Sequence, residues 1–193
     1  RFYPLALGGR GLWYEGFGVD LQASFTQVET VNQVSQQTAT SQIFAARGGL
    51  SYRLVFWDAA TAPDFELRAG YSYFSFPLEE VQFPGVSYGG AYVGGDFAIP
   101  LTTPMVVLDL GGQYVVSPAV TGSASDVLGT LDSSLGFRAR LGVRVRLGMW
   151  EIAAGGRFQQ YSTNYSGTST LAYEDAAFVD RTFGGYLTGG IVY

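Results

Sequence analysis

Apolar and polar residues alternate without a break from Leu135 to Leu147. Leu135, Phe137, Ala139, Leu141, Val143, Val145 and Leu147 share one parity, and Gly136, Arg138, Arg140, Gly142, Arg144 and Arg146 share the other. A period of two places each set on its own face of a β-strand. A helix would spread those arginines around much of its circumference and leave no apolar stripe, so the segment predicts a strand.

The same period recurs along the chain. Phe17, Val19, Leu21, Ala23 and Phe25 oppose Gly18, Asp20, Gln22, Ser24 and Thr26. Phe44 to Phe56 carries Arg47 and Arg53 on its polar parity, Phe65 to Tyr73 carries Glu66 and Arg68, and Ala91 to Ile99 carries Asp96. Val106 to Tyr114 carries Asp109, Trp150 to Phe158 carries Glu151 and Arg157, and Phe183 to Tyr193 closes the series. Eight segments of about this length match the roughly 9–11 residues a tilted strand needs to cross a bilayer. The predicted fold class is all-β, an antiparallel up-and-down transmembrane β-barrel of eight strands, with ten as the alternative count.

Connections alternate in length. Long polar stretches lie at Glu29–Gln42, Pro77–Ser87, Pro118–Ser134 and Thr163–Val179. Compact ones lie at Asp58–Asp64, Pro100–Pro104 and Gly148–Met149. Outer-membrane barrels keep short turns in the periplasm and longer loops outside. Residues 16–193 are therefore the expected barrel, and residues 1–15 a periplasmic lead-in. In the ten-strand alternative, residues 1–15 are the remnant of a crossing whose opening strand precedes Arg1.

Alternation alone does not say which face is inside, because a soluble lipocalin-like barrel alternates with its faces reversed. Three features favour lipid outside. Aromatics gather near the short-turn ends, as Trp13, Tyr14, Phe17, Phe56, Trp57 and Trp150, where an interfacial girdle would hold them. The polar face carries both signs of charge, with Arg47, Arg53, Arg68, Arg138, Arg140, Arg144, Arg146 and Arg157 against Asp20, Glu66, Asp96, Asp109 and Glu151. Eight strands leave a lumen just wide enough for side chains, so such a set is expected to interlock as a charge network. The regular loop asymmetry is the third feature.

Composition narrows the chemistry. Charged residues are 14% and aromatics 16% of 193 residues, unlike a surface of interspersed charges. All eleven basic residues are arginine. The absence of Cys excludes disulfides, and the absence of His removes Ser-His-Asp and Cys-His catalysis together with imidazole metal sites. A net charge of −5 argues against nucleic acid as a partner. No cofactor is expected, and no enzyme activity.

The arrangement resembles the small outer-membrane barrels of Gram-negative bacteria, the OmpA transmembrane-domain type. The likeness covers residues 16–193 and is architectural. Gly184 to Tyr193 resembles the terminal strand of that family, although its last residue is usually Phe where this chain has Tyr193. The resemblance implies an outer-membrane location, contact with membrane lipid and lipopolysaccharide, and recognition of the terminal strand by the barrel-insertion machinery. An envelope-complex protein is a further partner it allows. Barrel enzymes of that kind rely on His-containing sites, which this chain lacks.

Arg138, Arg140, Arg144 and Arg146 are the constellation with chemical character, read either as anchors for neighbouring carboxylates or as an anion-attracting set. Glu79, Glu80, Asp126, Asp132, Glu174, Asp175 and Asp180 are read as solvated loop charge, since no metal-ligand spacing appears. Eight inward arginines against five inward carboxylates predict a surplus of positive charge in the lumen. The expected function is that of a non-enzymatic structural, scaffold or surface-binding barrel with a charge-plugged lumen. The alternatives are a narrow anion-preferring channel and a soluble lipocalin-like ligand-binding barrel.

Overall fold

The computed structural model describes residues 16–31, 38–56, 61–77, 85–101, 103–121, 129–167, 175 and 177–191, the side chains of 26–31, 38–41 and 191 aside. Alternation becomes eight strands: β1 (Phe17–Val31), β2 (Thr38–Val55), β3 (Asp64–Phe76), β4 (Val86–Pro100), β5 (Val106–Thr121), β6 (Thr130–Leu147), β7 (Trp150–Ser166) and β8 (Ala177–Ile191). Each pairs antiparallel with its neighbours in the chain, giving one sheet in the order β1 to β8 that curls into a half-barrel. No α-helix occurs among the described residues. Of the two edges, β1 pairs with β2 and β8 with β7; among the described residues they do not pair with each other.

The strands are 13–18 residues long and overrun their expected ends on the long-loop side. Thr163, Asn164, Tyr165 and Asp180, all expected in a loop, lie in β7 and β8, while Asp132 lies in β6. The reason is local. Toward the long loops the outer parity turns polar, at Ser75, Ser87, Gln160 and Ser162, and the inner parity turns aromatic, so alternation fades while pairing continues. Side-chain hydrogen bonds bind this polar row: Ser87 Oγ to Ser75 Oγ at 2.8 Å, Asn164 Nδ2 to Ser133 Oγ at 3.0 Å, and Arg181 Nε to Gln160 Oε1 at 3.0 Å.

Two local devices shape the curl. In β5, Ser117 takes a positive φ of 38°, and Ser117 and Pro118 together oppose Gly90 of β4, a bulge that bends the strand. Gly49 and Gly70 face each other across β2 and β3, where a Cβ on either would overlap the neighbouring backbone, so only glycine permits that approach.

Burial is inverted relative to a water-soluble domain. Leu21, Phe183 and Leu187 each expose 75–77% of their surface, and the outer face is apolar on every strand. Asp20, Glu66, Arg68 and Asp96 expose 6% or less on the concave face.

Candidate functional site

Among the described residues charged groups converge on the concave inner face, which divides into a charged half near the short turns and an aromatic half near the long loops. In the charged half the acids sit on β1, β3, β4, β5 and β7, while β6 supplies four arginines; ion pairs therefore reach across strands. Asp20 of β1 forms an ion pair with Arg47 of β2 at 3.4 Å and accepts a hydrogen bond from Arg68 of β3 at 3.3 Å. Arg68 also pairs with Asp96 of β4, which in turn receives Arg140 of β6 in a two-pronged contact at 3.0 and 2.7 Å.

A second network lies nearer the short-turn rim. Asp109 is gripped by both arms of Arg144, with Arg144 Nε at 2.9 Å. Glu151 Oε2 accepts from Arg146 at 3.0 Å and lies 3.6 Å from Arg144. Arg53, at the rim, pairs with Asp64 at 2.6 Å, a carboxylate that sequence reading had assigned to a connection. A cavity of about 180 Å³ opens here between Arg53, Asp64, Arg144 and Arg146. Two-point guanidinium–carboxylate contacts of this kind are both stronger and more directional than single ones.

The aromatic half was not anticipated. Tyr88 of β4 and Tyr161 of β7 stack with ring centroids 4.1 Å apart and planes 3° from parallel, and Phe74 of β3 lies 5.7 Å from Tyr161. The Tyr88 hydroxyl donates to Asp180 of β8. Arg138 Nη2 donates to the Tyr161 hydroxyl at 3.1 Å, joining the two halves. The signal that could have found this cluster is parity: Phe74, Tyr88 and Tyr161 continue the charged face of their strands, not the apolar one.

Of the predicted charge network, Asp20, Arg47, Arg68, Asp96, Arg140, Arg144, Asp109, Arg146 and Glu151 are brought into ion pairs, and Arg53 pairs at the rim. Glu66 is buried on the same face in register with Arg53 and Asp96. Arg157 lies directly opposite Arg140 on β7 and is exposed. Among the described residues no carboxylate pairs with Arg138 or Arg157.

Of the predicted girdle, Phe17, Phe56 and Trp150 are exposed at the short-turn ends, 40–57% of their surface being accessible. Trp13, Tyr14 and Trp57 lie outside the described residues, as do Glu79, Glu80, Asp126, Glu174, Tyr193 and the expected lead-in at 1–15. Asp180 is corrected from solvated loop charge to an inner-face acid held by Tyr88, because β8 begins three residues before it. No family model, curated protein or solved structure matches the chain.

Proposed function

We propose that the chain is an outer-membrane β-barrel whose outer wall faces lipid and whose interior is closed by ion pairs at one end and stacked rings at the other. The observation that carries this reading is the inversion: large apolar side chains stand exposed on the outer face of every strand while ion pairs are buried within. In water the outer wall would be an apolar patch far beyond what soluble monomers carry.

Dimensions support it. On β6 the outer apolar run from Leu135 to Leu147 covers about 30 Å of height at a rise of ~3.3 Å and a tilt near 40°, close to the apolar band of ~25 Å on such barrels. Above it comes the polar row of Ser75, Ser87, Gln160 and Arg181, and below it Phe17, Phe56 and Trp150. A lipocalin-like soluble barrel needs the reverse, an apolar inside, and the buried charge counts against it.

Contacts across the inner face support closure. Phe74 on β3 meets Tyr161 on β7, and Tyr88 on β4 meets Asp180 on β8. Strands four apart are opposite one another in a ring of eight, so these contacts favour a ring in which β1 and β8 are neighbours. A closed ring also removes the unpaired edges that hydrocarbon does not tolerate.

With its interior filled, the barrel acts as a non-enzymatic structural or surface component. It meets membrane lipid and lipopolysaccharide through its wall and other envelope components through its long loops, and its terminal strand is the segment for insertion machinery to read. The test is electrophoretic: in detergent the unboiled protein migrates apart from the boiled one and gives a β-type circular dichroism spectrum. Planar bilayers containing it show no steady conductance. A monodisperse monomer that stays soluble without detergent would overturn the reading, and steady current would replace the plugged interior with a channel.

A further inference from the structure

Gln113 on β5, Arg138 on β6 and Gln159 on β7 are direct cross-strand partners, so they form one rung of the inner face. Each holds a buried N–H donor with no acceptor among the described residues: Gln113 Nε2, Arg138 Nε and Gln159 Nε2. Gln113 is 93% buried, since only 7% of its surface is accessible. Its amide is oriented by Arg47, which donates to Oε1 at 3.2 Å, so Nε2 stays turned away as a donor.

Three properties set this rung apart. Adjacent strands lie about 4.8 Å apart, so three neighbouring side chains can converge on one small group. The groups left unsatisfied are all N–H donors, and donors need an acceptor; a hydroxyl such as that of Ser51, also unpartnered, rotates to serve either way. Positive charge is in surplus here. Arg157 stands two residues from Gln159 on the same face, and neither it nor Arg138 has a carboxylate partner among the described residues.

We propose that the Gln113–Arg138–Gln159 rung, with Arg157 beside it, is a binding site for a small anion, either a halide or a carboxylate. A single water fits the rung poorly. It accepts about two hydrogen bonds, brings no charge, and has two protons of its own to place. A buried donor without an acceptor is costly, so an anion that satisfies several stabilises the folded state. The inference rests on the inner face alone and holds whether lipid or water covers the outer wall.

The experiment is thermal melting of the folded full-length chain in zwitterionic detergent, at fixed ionic strength, exchanging sodium gluconate for sodium chloride or sodium formate. Gluconate, a six-carbon polyhydroxy carboxylate, is the bulky reference anion. The expected result is a saturable rise of about 3–5 °C at tenfold excess over the Kd with chloride, formate or both, the responding salt identifying the ligand class. Tyr88→Phe, in the aromatic half, keeps that response, and Arg138→Gln loses it.

Because Arg138→Gln can fail to fold, Gln159→Glu is the second variant. It tethers a carboxylate to the rung, so it should melt higher than the parent in gluconate and respond to neither anion. A linear, non-saturating rise shared by the parent and Gln159→Glu is a bulk salt effect and overturns the site. So does a parent indifferent to both anions, or a Gln159→Glu that melts lower and still responds. Loss of the gel-mobility shift or solubility without detergent bears on the membrane reading and leaves this outcome untouched.

Discussion

Charge fills the short-turn half of the inner face, and stacked rings fill the long-loop half. The ion pairs are directional: Asp96 answers to both Arg68 and Arg140, so its position is fixed from two sides and its removal takes an acceptor from two cations, leaving Arg68 with Asp20. The rings of Phe74, Tyr88 and Tyr161 are held by area and stacking, which tolerate a change of atoms more readily than a change of volume. Both cover the concave inner face with side chains. They differ in what a single substitution costs.

The largest effect should fall in the charged half. Asp96→Ala leaves Arg68 and Arg140 without their shared acceptor and is expected to lower unfolding stability by about 3–5 kcal/mol, read by urea unfolding in lipid vesicles. Tyr161→Ala in the aromatic half should cost about 3–4 kcal/mol, whereas Tyr161→Phe keeps the stack, loses the hydroxyl's bonds to Arg138 and Ser72, and should cost nearer ~2 kcal/mol. If Asp96→Ala proved milder than Tyr161→Phe, the contrast between directional and volume-based filling would be wrong.

On the outer wall, Leu187→Arg should cost about 2–4 kcal/mol in a bilayer, a penalty a water-exposed site would not impose. Gly136→Ala pushes a methyl against the Tyr161 ring and is expected to cost about 1–3 kcal/mol without touching any charge. The smallest change is Ser133→Ala, which removes the exposed bond to Asn164 and should stay within about 0.5 kcal/mol in the same assay.

The charged half was legible in the sequence because its polar parity is unbroken: Arg138, Arg140, Arg144 and Arg146 announce both strand and face. The aromatic half was not, for a physical reason. Tyr88 and Tyr161 are large, partly apolar side chains on a face otherwise marked by charge, and the polar outer neighbours Ser87, Gln160 and Ser162 complete the reversal. A period-two reading assigns faces by polarity, so where polarity switches sides it reports a loop. Asp180 falls to a connection for the same reason, and with it the partner of Tyr88; Asp64 keeps the charged parity of β3 and is missed only because it is the strand's first residue, next to the turn. Which arginines meet which acids is set by shear between strands, which no single strand's pattern contains.

Among the described residues every strand pairs only with its neighbours in the chain, and this has a consequence for the order of assembly. Hairpins of low sequence separation can zip from several starting points, each closing a short loop at small entropic cost. The contacts that skip strands, Asp20 with Arg68, Asp96 with Arg140 and Phe74 with Tyr161, need the sheet to curl first. Substitutions there should speed unfolding more than they slow folding, while substitutions at hairpin positions such as Gly148, at a φ of 63°, should slow folding itself. In the proposed closed barrel, β1 and β8 stay open edges until the curl is complete, so the final step of assembly is also the one that ends the chain's exposure to pairing with other copies of itself.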